Sequence, residues 1–441
     1  MSWKEKASRL SQRKAKGRIF YGWWIVAACF IIYMWGAGSF FYGFTAFFNP
    51  IKDEFGWGAT VTSIAFALRS MESGLADIFV GFLVDRFGPR RVMMTGITIM
   101  GTGFITLGFI NSLWSFYAAV AIIAIGLSCC LGPVGVTAVV NWFIRKRGQA
   151  IGFMMAGAGV GGLLVPLIRW SIDLSDWRTT AIILGLATWA IGIPLTRVLR
   201  HKPEQYGYLP DGDPPGEAVP EIAAQQREQT GHEFSVKEAL RTRTFWLLAM
   251  SYATAFTALM AVTPHIMPYL TSDDVGLSDG TAAFMVTVMT VSSIAGRLGF
   301  GWLGDYFPKR YIIAVCFSIQ AAALLFFAYC GSMWQVILFV LVFGPSYGGS
   351  IPLRAAIQGD YFGRKAFGAI FGIMMAIGTL LGMASPIFAG AMVDATDSYR
   401  IAWVVLALVG AVAIPLILLA RPPASPQQKR WSEGKPAIEG R

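Results

Sequence analysis

The chain has 441 residues, 55% hydrophobic and only 14% charged, with a mean hydropathy of +0.56. A soluble globular domain carries about 25% charged residues, so a water-soluble enzyme or binding module is excluded. The formal net charge of +11 does not point to nucleic acid, because the basic residues sit in short stretches between apolar runs.

Twelve such runs follow in order: spans 1 to 12 at 22–48, 57–82, 91–111, 114–142, 149–170, 179–197, 245–270, 280–303, 311–331, 334–357, 366–393 and 400–420. Each is about 20 residues or longer, enough for a helix to cross a ~30 Å hydrocarbon core. Lys4, Lys6, Arg9, Arg13, Lys14, Lys16 and Arg18 precede span 1. Arg86, Arg90 and Arg91 follow span 2, and Arg145, Lys146 and Arg147 follow span 4. Lys309 and Arg310, Arg364 and Lys365 fall on the same side. The opposite connections hold mainly acids such as Asp53, Glu54, Asp173, Asp176 and Asp273. The positive-inside rule therefore predicts a multi-pass protein of the cell (inner) membrane with both termini in the cytoplasm.

The expected division is a cytoplasmic segment 1–20, a six-helix bundle 21–197, a cytoplasmic loop 198–244, a second bundle 245–420 and a cytoplasmic tail 421–441. In the loop, Pro210 to Gly216 is rich in turn residues, and Ser235 with Glu238 has capping-box spacing before a short helix. The loop reads as a tether or as a site for a regulatory partner. Cys29, Cys129, Cys130, Cys316 and Cys330 all fall in predicted spans, so no disulfide framework is implied. They read as small packing residues rather than metal ligands.

The two halves repeat at an offset of 220 residues. Gly81, Leu83, Asp85, Phe87 and Arg90 recur as Gly301, Leu303, Asp305, Phe307 and Arg310; Trp114 recurs as Trp334. Gly148, Gly152, Met154, Met155, Ala156, Gly162 and Pro166 recur as Gly368, Gly372, Met374, Met375, Ala376, Gly382 and Pro386. A parallel repeat in a membrane chain implies two bundles related by an axis along the membrane normal, with a substrate path between them. The small residues of spans 5 and 11 let helices approach closely and slide. Gly81, Asp85, Arg86 and Arg90, with Gly301, Asp305 and Arg310, read as a gate at the cytoplasmic side. The glycines allow helix contact, and the aspartates pair with loop arginines and accept hydrogen bonds from a neighbouring helix N-terminus.

The run Gly81-Phe82-Leu83-Val84-Asp85-Arg86-Phe87-Gly88-Pro89-Arg90-Arg91 resembles the signature of the major facilitator superfamily, and the resemblance covers the whole chain. Tyr21-Gly22-Trp23-Trp24, Asn141 to Gly148, Thr263 to Tyr269 and Gly296-Arg297 are similar to the monocarboxylate transporter family and its bacterial neighbours, including the oxalate/formate exchangers. That resemblance implies an all-α membrane fold of twelve transmembrane helices in two pseudo-symmetric bundles. It also implies that an arginine at the position of Arg297 binds a substrate carboxylate. Animal members carry an aspartate one turn before this arginine and a lysine late in span 1; here those positions hold Ser293 and Tyr42. The exchangers use a lysine in span 11, and none lies inside it here, which argues against a dicarboxylate held by two cations.

Arg297 stands eight residues before Asp305, about 12 Å from the helix end at 1.5 Å per residue. A charge so deep is a candidate functional group, and guanidinium matches a carboxylate through a planar fork. The offset places Asp77 at the same depth in span 2, as a proton site: a substrate competing for the arginine would leave the aspartate to take up a proton. Arg69 and Glu72, spaced i, i+3, form either a paired gating element or part of the proton route. His265 in span 7 could relay protons, or bond Tyr269 or a backbone carbonyl. Tyr42 and Tyr347 are substrate hydrogen-bond donors or packing aromatics. Arg354, near the end of span 10, reads as snorkelling to the interface.

No Gly-Lys-Ser/Thr phosphate loop, metal-spaced His/Cys cluster or nucleophile–base set occurs, so no ATP, metal, cofactor or enzymatic activity is expected. The sequence thus predicts a secondary transporter in a lipid bilayer, working by alternating access. Its expected cargo is a small organic monocarboxylate of lactate or pyruvate type, moved with a proton. The alternatives are an anion exchanger of oxalate/formate type and efflux of another small solute.

Overall fold

The computed structural model describes residues 19–57, 76–212 and 233–423. All regular structure among these residues is helical. Ten helices are long and apolar enough to cross a membrane. Pro89–Gly108 is span 3, and the helix at 76–87 is the described part of span 2, the rest of which lies outside the described residues.

Local chemistry sets where the helices start. Ser112, Asp176, Thr242 and Ser278 each accept a hydrogen bond from the backbone N–H three residues on, opening spans 4, 6, 7 and 8. Val236–Leu240 opens with the box read from the sequence: Glu238 N–H donates to Ser235 Oγ at 3.4 Å, and Ser235 N–H to Glu238 Oε2 at 2.8 Å.

Several spans are interrupted. Span 1 runs from Tyr21–Gly36 into a π-turn, Ala37–Tyr42, before Thr45–Phe55, which the sequence did not announce. Span 4 divides into Leu113–Ser128 and Gly132–Trp142, because Gly132 adopts φ +47° and Pro133 offers no N–H. The freed Gly132 carbonyl accepts the Tyr33 hydroxyl at 3.1 Å. Span 5 kinks through Gly161–Leu163, and span 11 divides at Met383. Both kinks follow the repeated glycine runs.

The core shows which end is shut. At the end carrying Asp85 and Asp305, called the motif end, one buried cluster joins Ile25, Val139 and Trp142 of the first half to Ala355, Phe367 and Phe371 of the second. At the far end two separate clusters form. One is built on Phe44, Phe104 and Trp177 of the first half, the other on Tyr269, Phe327 and Trp403 of the second. Neither includes a residue of the other half. Outward faces are apolar: Trp114 and Trp334, equivalent in the repeat, are 80% and 63% exposed, as interfacial tryptophans in a bilayer are.

Candidate functional site

Asp85 closes the helix at 76–87, and its carboxylate accepts the N–H groups of Gly368 (2.9 Å) and Ala369 (2.8 Å). Asp305 does the same to Gly148 (2.7 Å) and Gln149 (2.9 Å). Each carboxylate caps the first turn of a helix from the other half, where backbone N–H groups lack helical partners and the dipole favours negative charge. The glycines make the approach possible. A Cβ on Gly81 would overlap the Gly368 carbonyl, and one on Gly148 that of Gly301. One on Gly152 would overlap the Arg297 carbonyl, and one on Gly372 that of Asp77. The repeat of the sequence is therefore a reciprocal pair of contacts.

The expected arginine partners are absent from these clasps among the described residues. Arg86 lies over Phe87 at 5.4 Å, Arg310 donates to the Tyr311 hydroxyl at 2.7 Å, and Arg90 is exposed. The aspartates are already engaged by two N–H groups each, so helix ends replace the loop arginines. The ion pairs across the halves come from residues read only as topological charge. Arg147, 3% exposed, meets Asp360 at 2.6 Å, and Lys309 holds the same carboxylate at 2.8 Å. Arg364 donates to the Asn141 carbonyl at 2.8 Å and to Glu204 at 2.9 Å. Asp211 of the central loop accepts the N–H groups of Ile144, Arg145 and Lys146 at 2.9–3.2 Å. Beside them, burial holds the His201 pKa below its usual range. At the far end, hydrogen bonding to Arg178 lowers that of Glu54.

Behind the clasps lies a cavity of ≈ 100 Å³ between the halves. Gly132, Tyr33 and Met155 line it from the first half, and Tyr252, Phe256 and Arg354 from the second. The Asp77 carboxylate stands at Gly132: a Cβ there would be 3.1 Å from Oδ1. No hydrogen bond or ion pair engages Asp77 among the described residues. Arg297 stands behind the lining residue Met155. It is 7% exposed, its Nη1 donates to the Met155 carbonyl at 2.6 Å, and its Nε has no partner. Asp77 and Arg297 thus each stand one residue behind the cavity lining, at Gly132 and Met155, and no contact joins them among the described residues.

Arg354 corrects the sequence reading. It is half-buried and faces the cavity, with its guanidinium 5.6 Å from the Tyr252 ring and 6.0 Å from the Phe256 ring. It stands eight residues before the helix end at Phe362, against nine from Arg297 to the end at Tyr306, and that depth was the available signal.

Tyr42 ends the π-turn, within electrostatic range of both Arg297 and Tyr347. Tyr347 packs on Phe343 at 6.1 Å. His265 bonds neither Tyr269 nor its own helix. Its Nε2 meets the Pro386 carbonyl at 3.0 Å and its Nδ1 the Tyr399 hydroxyl at 3.3 Å, away from the cavity lining. Arg69 and Glu72 lie outside the described residues.

A family profile described as Major Facilitator Superfamily matches residues 26–273 and 265–440. An uncharacterised MFS-type transporter, YcxA of Bacillus subtilis, is 26% identical over 89% of this chain and 93% of its own. The oxalate:formate antiporter of Oxalobacter formigenes is 27% identical over 73% of each chain. Monocarboxylate transporter 12 of Mus musculus is 25% identical over 87% of this chain and 82% of its own. In fold, the transporter FucP in its outward conformation superposes with a TM-score of 0.70 at 16% identity, over 90% of this chain and 98% of that one. The proton:xylose symporter XylE gives 0.70 at 14% identity, over 91% and 96%. With twelve spans, a repeated glycine-aspartate clasp and a cavity on the axis between its halves, the chain belongs to the major facilitator superfamily of membrane transporters.

Proposed function

We propose that this transporter moves a small organic monocarboxylate of lactate or pyruvate type across the cell membrane, together with a proton. The observation that carries the reading is Arg297, a buried guanidinium behind the cavity wall at Met155, held by one carbonyl and with an Nε that has no partner among the described residues. An unpaired charge at this depth is costly unless an anion uses it. The names of the monocarboxylate transporter and the oxalate:formate antiporter among the relatives support a carboxylate cargo. The units 21–197 and 245–420 are the rocking bodies, joined by 198–244, with the motif end and both termini in the cytoplasm. Closure at the motif end presents the site outward. Breaking the Asp85 and Asp305 clasps opens it inward. Asp77, without a partner among the described residues and placed beside the lining residue Gly132, carries the proton.

Exchange of organic anions is the second reading, favoured by Arg354. The sequence argument against two cations rested on span 11 alone, and span 10 supplies the second one.

Uptake of labelled lactate into proteoliposomes under an inward proton gradient tests the proposal. Accumulation should collapse with a protonophore and fall about 100-fold in Arg297→Ala, the loss of one or two charge-assisted hydrogen bonds. Uptake indifferent to the gradient but dependent on internal anion would establish exchange instead. Uptake unchanged in the variant would remove Arg297 from the mechanism.

A further inference from the structure

The cavity offers more apolar wall than a short hydroxy acid covers. Its one cationic group is Arg354, and no carboxylate or carbonyl engages that guanidinium among the described residues. Around it the wall is aromatic and thioether: Phe256, Phe371, Met155, Met374 and Met375. A three-carbon acid such as lactate would leave much of that surface uncovered. A planar or branched apolar group would cover it, and methionine side chains adapt to ring edges. The two rings facing Arg354 spread its charge without neutralising it, since a cation–π contact leaves the guanidinium fork free for an anion. An apolar wall with few placed polar groups is the pattern of a site that selects on body shape and orients by one charge.

We propose that, in the state closed at the motif end, Arg354 anchors the carboxylate, and that the preferred cargo is a monocarboxylate with an aromatic or branched apolar body. This rests on the carboxylate-transport reading above and narrows it. Arg297 acts behind the Met155 carbonyl, whereas Arg354 faces the ligand. Arg354 is therefore the residue that sets specificity. Gln358, which lines the same wall and has a buried Oε1 without a partner, offers a place for a bound hydroxyl or amide N–H.

The test is competition in proteoliposomes loaded with the full-length protein, with labelled lactate as reporter. Unlabelled phenylacetate, unlabelled lactate and the uncharged phenylacetamide are the competitors. Phenylacetate should compete at least tenfold better than lactate, and phenylacetamide should not compete. Arg354→Gln should weaken phenylacetate at least tenfold and Arg354→Lys less. Phe256→Ala should weaken phenylacetate while leaving lactate within about twofold. Lactate competing as well as phenylacetate, or phenylacetamide matching phenylacetate, would overturn the inference and leave carboxylate transport standing. So would phenylacetate competition untouched in a monodisperse Arg354→Gln protein. If that variant does not fold, Arg354→Lys and Phe256→Ala decide by the same criteria. Failure of every acid to move would instead overturn the carboxylate reading itself, and this inference with it.

Discussion

At the motif end the two halves are chemically alike; around the cavity they are not. Positions 220 residues apart hold the same aspartates, the same glycines and the same helix-start N–H acceptor geometry in both clasps. At the cavity Met155 and Met375 still match, but the polar and charged positions diverge. Asp77 is matched by Arg297, Val134 by Arg354, Ile32 by Tyr252 and Tyr33 by Ala253. The difference follows from what each region meets. A gate on a pseudo-symmetry axis contacts its own counterpart, so one solution serves twice. A small cargo on the axis has no such symmetry, and each half offers it different chemistry.

The largest effect should come from dividing the one pair of opposite charges that the repeat produces. Asp77→Asn keeps the size of the side chain and removes its ability to bind and release a proton. Counterflow exchange of labelled substrate should survive within about threefold, whereas acid-driven accumulation should vanish. Arg297→Ala, at the equivalent position, should lose both. Accumulation that persists in Asp77→Asn would move the proton site elsewhere, and the asymmetry of the cavity would then concern substrate only.

The glycines should behave oppositely, as equals. Gly152→Leu and Gly372→Leu each push a side chain into the carbonyl of Arg297 or Asp77 across the interface. Overpacking of this kind costs about 1–3 kcal/mol, which disfavours the closed motif end by roughly 5- to 100-fold. Both variants should slow counterflow by about the same factor. Gly162→Ala, with no atom within 4 Å of the new Cβ, should leave it unchanged. A slowing confined to one of the pair would break the equivalence of the two contacts.

Hydropathy and run length made all the spans readable, because a bilayer imposes one length on every helix. The 220-residue repeat also placed the clasps, down to the helix N-termini that the aspartates cap. Facing was harder to read. Arg297 and Arg354 lie nine and eight residues from their helix ends, and only the packing of spans 7 and 11 shows that Arg354 points inward. Distance along one helix does not separate a lipid-facing charge from a cavity-facing one. For His265 the backbone-carbonyl alternative holds and the Tyr269 one does not: its partners, the Pro386 carbonyl and Tyr399, are more than 120 residues away in sequence. Arg147 looked like topological charge because Asp360 lies 213 residues on. The π-turn at Ala37–Tyr42 has no glycine-proline signal and arises from packing against the kink in span 5.

The smallest effect tests where the gate's own symmetry ends. Each clasp aspartate holds two backbone N–H groups, and hydrogen bonds to a charged group contribute about 1.5–3 kcal/mol each. Asparagine keeps one acceptor and loses the charge, so Asp85→Asn should weaken closure by about 1–3 kcal/mol. The residue just before each capped helix start differs, however. Arg147 precedes Gly148 and reaches across to Asp360, whereas its counterpart Phe367 stacks on Phe371 within its own helix. The Asp305 clasp therefore keeps a buried ionic tie when its carboxylate is neutralised, whereas the Asp85 clasp keeps only the more exposed Arg364–Glu204 pair. Asp305→Asn should open the motif end less than Asp85→Asn. The readout is thiol labelling from the cytoplasmic side of a single cysteine at Met375, in a chain whose native cysteines are replaced. Adding Arg147→Ala should bring Asp305→Asn up to the Asp85→Asn level and leave Asp85→Asn additive with it. Equal labelling of the two single variants would mean that Arg147 and Asp360 hold no part of the gate, and that the symmetry of the motif end extends to its ion pairs.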